Sequence, residues 1–332
     1  MPQTPMKLMQ NYGPDFDGVI DLAASRAVCD RIVRGTRENF FVLSRFVPRD
    51  RVADFTAVYA FCRWADDLGD ESGSTDRALE LLEWWRGEIE RTYDGAARHP
   101  VFVALAPVIE QHGLPKQLFT DLVSAFEQDQ RKTRYETWDE LIEYCRLSAN
   151  PVGQLVLRVL DQPRDPEVDS ASDAICTALQ LSNHWQDVGR DLRDRDRIYL
   201  PRDCHSIENF EERLRGTIEQ GWAVDQSFLE ESRTLIRELV RRTWPLYENG
   251  SALMPRLTEP ARPIVWLFSL GGQCVLRAIE QWNYETVLNR PVLGVSTRLS
   301  LLVGTWLRCR LGRFGDSVVQ EAQGESAKAA VT

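Results

Sequence analysis

Apolar residues recur at three- and four-residue spacing along nearly the whole chain, and short alternating Val/Ile/Thr runs bounded by turn pairs are missing. The pattern predicts an all-α protein. Its punctuation agrees: Thr137-x-x-Glu140 and Ser170-x-x-Asp173 read as capping boxes, Gly113-Leu114-Pro115 closes one helix and opens the next, and Gly95 and the Pro163 to Pro166 turn read as stops. Roughly ten to twelve helices joined by short loops are expected, in the manner of a helical bundle, with no linker long enough to divide the chain. We expect one helical domain over 19–311, an N-terminal extension at 1–18, and a disordered tail at 312–332, where large apolar residues give way to Gly, Ser, Ala, Glu and Gln.

No run reaches the roughly 18 apolar residues a membrane-spanning helix needs. The nearest, Val292 to Leu307, is broken by Arg298 and followed by Arg308 and Arg310. The basic, apolar stretch Leu299 to Arg313 reads first as a core helix, with peripheral contact to a membrane face as the alternative. Met1 to Gly18 lacks a basic stretch followed by an apolar core, so neither a leader nor export is expected, and the expected location is cytoplasmic.

Charge narrows the functions further. Forty basic residues against fifty acidic ones leave a formal charge of −10, which disfavours nucleic acid as a partner. The seven cysteines are scattered without a C-x-x-C pair, so neither a zinc knuckle nor a redox couple is expected, and a reducing compartment fits. His99, His112 and His205 stand in loop or helix-end contexts and read as solvated surface. No G-x-S-x-G elbow, P-loop or G-x-G-x-x-G fingerprint occurs.

The candidate chemistry lies in two acidic stripes. At 100° per residue, Tyr59, Arg63, Asp66, Asp67 and Asp70 fall within roughly 100° of one helix face. The remaining faces carry Val58, Phe61, Cys62, Trp64 and Leu68, so protein surrounds this helix. Three carboxylates with one arginine cannot stay ionised there unless a cation joins them. A second stripe repeats the arrangement: Gln180, Asn183, Asp187 and Asp191 fall within roughly 80° on a continuous helix, with His184 beside them. Oxygen ligands at i and i+4, without Cys or His, suit magnesium, which keeps several waters and takes phosphate oxygens. Arg63, Arg190, Arg193, Arg195 and Arg197 could hold a diphosphate beside it. A lone D-x-x-x-D is ordinarily a solvated helix face with i,i+4 salt bridges. Two copies in apolar helices, each accompanied by Arg and amide side chains, favour a metal site.

These residues, Tyr59-x-x-x-Arg63-x-x-Asp66-Asp67-x-x-Asp70 and Gln180-x-x-Asn183-x-x-x-Asp187-x-x-x-Asp191 followed by Arg197-Ile198-Tyr199-Leu200-Pro201, resemble the motifs of the squalene/phytoene synthase family over about residues 25 to 310. The resemblance implies a single class I isoprenoid-synthase helical bundle with a central cavity, an isoprenoid diphosphate substrate, more than one Mg²⁺ and no nicotinamide cofactor. By matching position it makes Asp66, Asp70, Asn183, Asp187 and Asp191 metal ligands. Tyr59, Arg63, Tyr144 and Gln180 become catalytic candidates, and Arg37, Asn39, Arg63, Asp67, Arg190, Arg197 and Tyr199 diphosphate contacts.

Tyr144-Cys145-Arg146-Leu147-Ser148-Ala149-Asn150-Pro151-Val152-Gly153 departs from the family pattern in having Asn-Pro for Gly-x. With Glu38-Asn39-Phe40, that segment looks like the bacterial hydroxysqualene synthase branch, with neighbouring enzymes of squalene and hopanoid synthesis as partners. Head-to-head condensation of two prenyl diphosphates is the alternative activity, and a non-enzymatic assembly role the alternative class.

Overall fold

A computed structural model describes residues 4–35, 46–221, 225–311 and 314. Among them the apolar periodicity becomes α1 (Pro5–Tyr12), α2 (Leu22–Gly35), α3 (Val52–Asp70), α4 (Thr75–Tyr93), α5 (Pro100–His112), α6 (Lys116–Arg131), α7 (Trp138–Ser148), α8 (Asn150–Val159), α9 (Pro166–Gln186), α10 (Val188–Arg195), α11 (Phe210–Gln220), α12 (Gln226–Gly250), α13 (Ala261–Gln281) and α14 (Val295–Leu311). The described residues form no strand, only one bridge between Arg134 and Ile198. The all-α expectation holds, with more and shorter helices than the pattern predicts. Two breaks account for part of the excess: Ala149 ends α7 just before Asn150-Pro151 opens α8, and Asp187 separates α9 from α10.

Several boundaries follow the expected signals. Gly113 takes a left-handed φ of 57°, which a glycine adopts without cost, and ends α5. Thr137 accepts from the Glu140 backbone N–H at 3.2 Å to open α7. The Ser170 box is not a start. Asp165 caps α9 instead, accepting from Glu167 N at 2.9 Å with Pro166 in the first turn, so Ser170 falls inside the helix.

The described residues cluster into two compact helical units, one drawn from within 1–132 and 151–164, the other from within 133–150 and 165–314. In the first, α3 is the spine. Val58, Phe61, Trp64 and Leu68 are buried, Trp64 stacks on Trp85 at 5.5 Å, and the Phe61 ring meets Phe119 edge-on at 5.0 Å. Such aromatic pairs add roughly 0.5–1.5 kcal/mol beyond area burial. In the second, α9 packs along α12 and α13 through Ile175, Leu181 and Trp185, and the Trp185 indole N–H donates to Thr243 Oγ1 at 2.9 Å.

Two histidines read as surface are instead buried. His99 lies among Trp64, Trp84, Trp85 and Phe102, its Nδ1 accepting from Val101 N, and burial pushes its pKa down to about 3. His112 ends α5 between two carboxylates, each ring nitrogen 3.1 Å from Asp54 or Asp161. Both sit at helix ends, where local context looks polar, but tertiary packing covers them.

Candidate active site

The first stripe stands as expected on unbroken α3. Arg63 donates to Asp66 Oδ2 at 3.1 Å and pairs with Asp67 Oδ1 at 2.5 Å, so one guanidinium bridges neighbouring carboxylates. Asp67 is buried; Tyr59, Asp66 and Asp70 are half-buried. Burial raises the Asp67 pKa to about 6 against the pull of Arg63, with Glu71 and Asp70 adding repulsion. Asp70 closes the helix, where exposed carbonyls add further negative potential.

The second stripe departs from the continuous wheel. α9 ends at Gln186, Asp187 takes φ −105° and ψ 15°, and α10 restarts at Val188. The cause lies in the segment after α13. Gly189 N donates to Thr286 O, and a Cβ at Gly189 would stand 1.9 Å from Val287 O, so only a glycine permits this approach. Asp191 and Asp187 thus share a site across a bend rather than along one face. Burial, then the Asp187 charge, raises the Asp191 pKa to about 7, opposed by Arg195, Arg190 and Arg197.

Arg290 was not among the sequence candidates. Its Nε and Nη2 donate to Asp187, the latter at 3.2 Å, and Nη2 also reaches Gln186 Oε1 at 3.3 Å; Arg190 stands 3.5 Å from Asp187. No local pattern announces Arg290, which arrives from a loop far along the chain.

Beside the second stripe lies a buried aromatic group. The backbone of 198–203 pairs with 133–136, Ile198 N donating to Thr133 O and Arg202 N to Tyr135 O, which brings Tyr199 against α7 and α9. Tyr199 stacks on His184 at 3.8 Å, and Tyr144 stands 5.6 Å from both Tyr135 and Tyr199. Burial, and secondarily Arg197, pushes the His184 pKa down to about 3. The neutral ring then accepts at Nε2 from the Gln180 amide, 3.2 Å away. Asn150, of the departing Asn-Pro pair, accepts from Thr177 Oγ1 at 2.9 Å.

The structure thus gathers Arg63, Asp66 and Asp67 in one unit. It gathers Asp187, Arg190 and Asp191, and separately Gln180, Tyr144 and Tyr199, in the other. Asn183 is exposed on α9 and Arg197 is buried. Arg37 and Asn39 lie outside the described residues, as does all of the expected tail but Phe314. Among the described residues no three His, Cys, Asp or Glu side chains converge on one metal position. The donors in each unit are nonetheless all oxygen, from carboxylates and amides, and that chemistry fits magnesium completing its shell with water and substrate oxygens.

The helical fold is that of a class I terpenoid synthase. It superposes on the crystal structure of squalene synthase HpnC from Alicyclobacillus acidocaldarius with a TM-score of 0.69, covering 80% of this chain and 96% of that one at 38% identity. The squalene/phytoene synthase family model matches residues 33–299, and the chain belongs to that family of prenyl diphosphate-processing enzymes. It is 42% identical to the hydroxysqualene synthase of Rhodopseudomonas palustris over 50% of this chain, a match spanning little more than half, 56%, of that protein. It is 29% identical to the phytoene synthase of Arthrospira platensis over 86% of this chain and 94% of that one.

Proposed function

We propose that the chain is a hydroxysqualene synthase, converting presqualene diphosphate and water to hydroxysqualene and diphosphate. The observation that carries this reading is the identity to a hydroxysqualene synthase, which exceeds that to a phytoene synthase. Two acidic stripes furnished with arginines supply the means to ionise a diphosphate. The carbon–oxygen bond to diphosphate breaks, the cyclopropylcarbinyl cation rearranges, and water adds and loses a proton.

Asp66, Asp70, Asn183, Asp187 and Asp191 would hold magnesium, whose chemistry there is to neutralise charge on the leaving diphosphate. Arg63, Arg190 and Arg197, joined by Arg290, would grip the diphosphate oxygens, and guanidinium forks suit that geometry. Tyr144, Tyr199 and neutral His184 present ring faces that favour a passing cation without supplying a base strong enough to quench it early. Gln180, held by His184, would orient a polar group beside those rings.

The test is mass-spectrometric product analysis of the purified protein with magnesium and no reductant, given presqualene diphosphate or farnesyl diphosphate. Hydroxysqualene from the former alone is expected. A C30 product from farnesyl diphosphate would make the chain a condensing synthase, and no turnover of either by folded protein would overturn the reading.

A further inference from the structure

α14 carries two apolar faces, and the fold uses one. Leu301 and Thr305 are buried where α14 packs on α13, and Arg308 lies over the Trp266 ring at 4.8 Å. At 100° per residue Val295, Leu299, Val303, Trp306, Leu307 and Leu311 fall within about 160° on the opposite side. They are exposed, Val295 at 82%, Leu299 at 59%, Trp306 at 49% and Leu311 at 64%. An apolar stripe of this length on a solvated helix marks an interaction surface.

Charge says what covers it. The helix has no acidic residue and three arginines, Arg298, Arg308 and Arg310, in a chain whose formal charge is −10. Arg310 lies inside the stripe, its guanidinium 4.8 Å from the Trp306 ring centre. Ser296 and Ser300 also interrupt the stripe. That mixture is too polar for a second hydrophobic core. It matches the head-group layer of an anionic bilayer, where indoles rest at the boundary and arginines reach phosphate. Among the described residues no helix is long and apolar enough to cross a membrane, so contact is parallel to the surface.

We propose that α14 is a docking helix that lays its Val295, Leu299, Val303 and Trp306 face into an anionic lipid surface, with Arg298 and Arg310 on the phosphates. The inference is independent of the reaction assigned above, and its test involves no turnover. The full chain is sedimented with vesicles of phosphatidylcholine containing about one third phosphatidylglycerol, and with pure phosphatidylcholine, at low and high salt. Co-sedimentation with the anionic vesicles at low salt, falling roughly five-fold for each arginine removed in Arg298→Gln and Arg310→Gln, is expected. Leu299→Glu with Val303→Glu should abolish it while circular dichroism stays unchanged, since both positions are exposed. Equal binding to neutral vesicles, or none to either, overturns the proposal. So does a dimer in velocity ultracentrifugation that the double glutamate variant converts to monomer, because the face then belongs to a second copy. If the double variant fails to fold, the two arginine variants and the salt dependence decide.

Discussion

On α3 the carboxylates of Asp66 and Asp67 meet Arg63 within about one turn of an unbroken helix, whereas Asp187 sits at a break and draws Arg290 from 103 residues further along. Both halves therefore present aspartates with a guanidinium at hand, but the first does so by periodicity and the second by tertiary packing. The difference teaches where each is vulnerable. The first stripe depends on a helix staying helical. The second depends on one loop reaching one bend.

Removing either carboxylate tests whether the halves are equal partners. Asp66→Asn and Asp187→Asn should each lower kcat by about two to three orders of magnitude, the scale for losing one preorganised electrostatic group. Circular dichroism should stay native; survival of activity in both variants would sink the paired-site reading. Next in size is the glycine within the second motif. Gly189→Ala would drive a Cβ to 1.9 Å from Val287 O, so urea titration should show a loss of about 1–3 kcal/mol as the loop or α10 shifts. Activity should fall with it, because the same loop carries Arg290.

The apolar side of α3 gives a pH test. His99 titrates near 3 when folded and near 6.5 when unfolded, so the unfolded chain binds more protons between those values and stability falls as pH drops below about 6.5. From pH 7 to 5 the loss should be about 2 kcal/mol from this group, read from urea midpoints. In His99→Asn the slope should shrink; an unchanged slope would remove His99 as its source. The smallest effect is expected at Gly69, inside the first motif. There a new Cβ would lie 3.5 Å from Gln130 Nε2, an ordinary contact. Gly69→Ala should change stability by less than about 1 kcal/mol, in the stabilising direction, because alanine favours a helix interior. A loss as large as that of Gly189→Ala would erase the contrast between the two motifs.

These particulars also mark what the sequence made legible. α3 was readable because its apolar and acidic positions repeat at the helical period, and burial of Phe61, Trp64 and Leu68 follows from that repeat. The break at Asp187 was not, since the residues that impose it, Thr286 and Val287, lie near the far end of the chain. Arg290 was invisible for the same reason. The Ser170 box failed because Asp165-Pro166 offered a stronger start a few residues earlier. His99 and His112 failed because helix-end context says nothing about which rings and carboxylates close over them.

The Arg290 contact also sets an order of assembly. As the chain emerges during synthesis, Arg63 can find Asp66 and Asp67 almost at once, for α3 needs only its own turns. Asp187 has Arg190 three residues on but must wait another hundred residues for Arg290, and closing so long a loop slows the search. The nascent protein thus completes its first acidic stripe early and adds another 103 residues before the second gains Arg290.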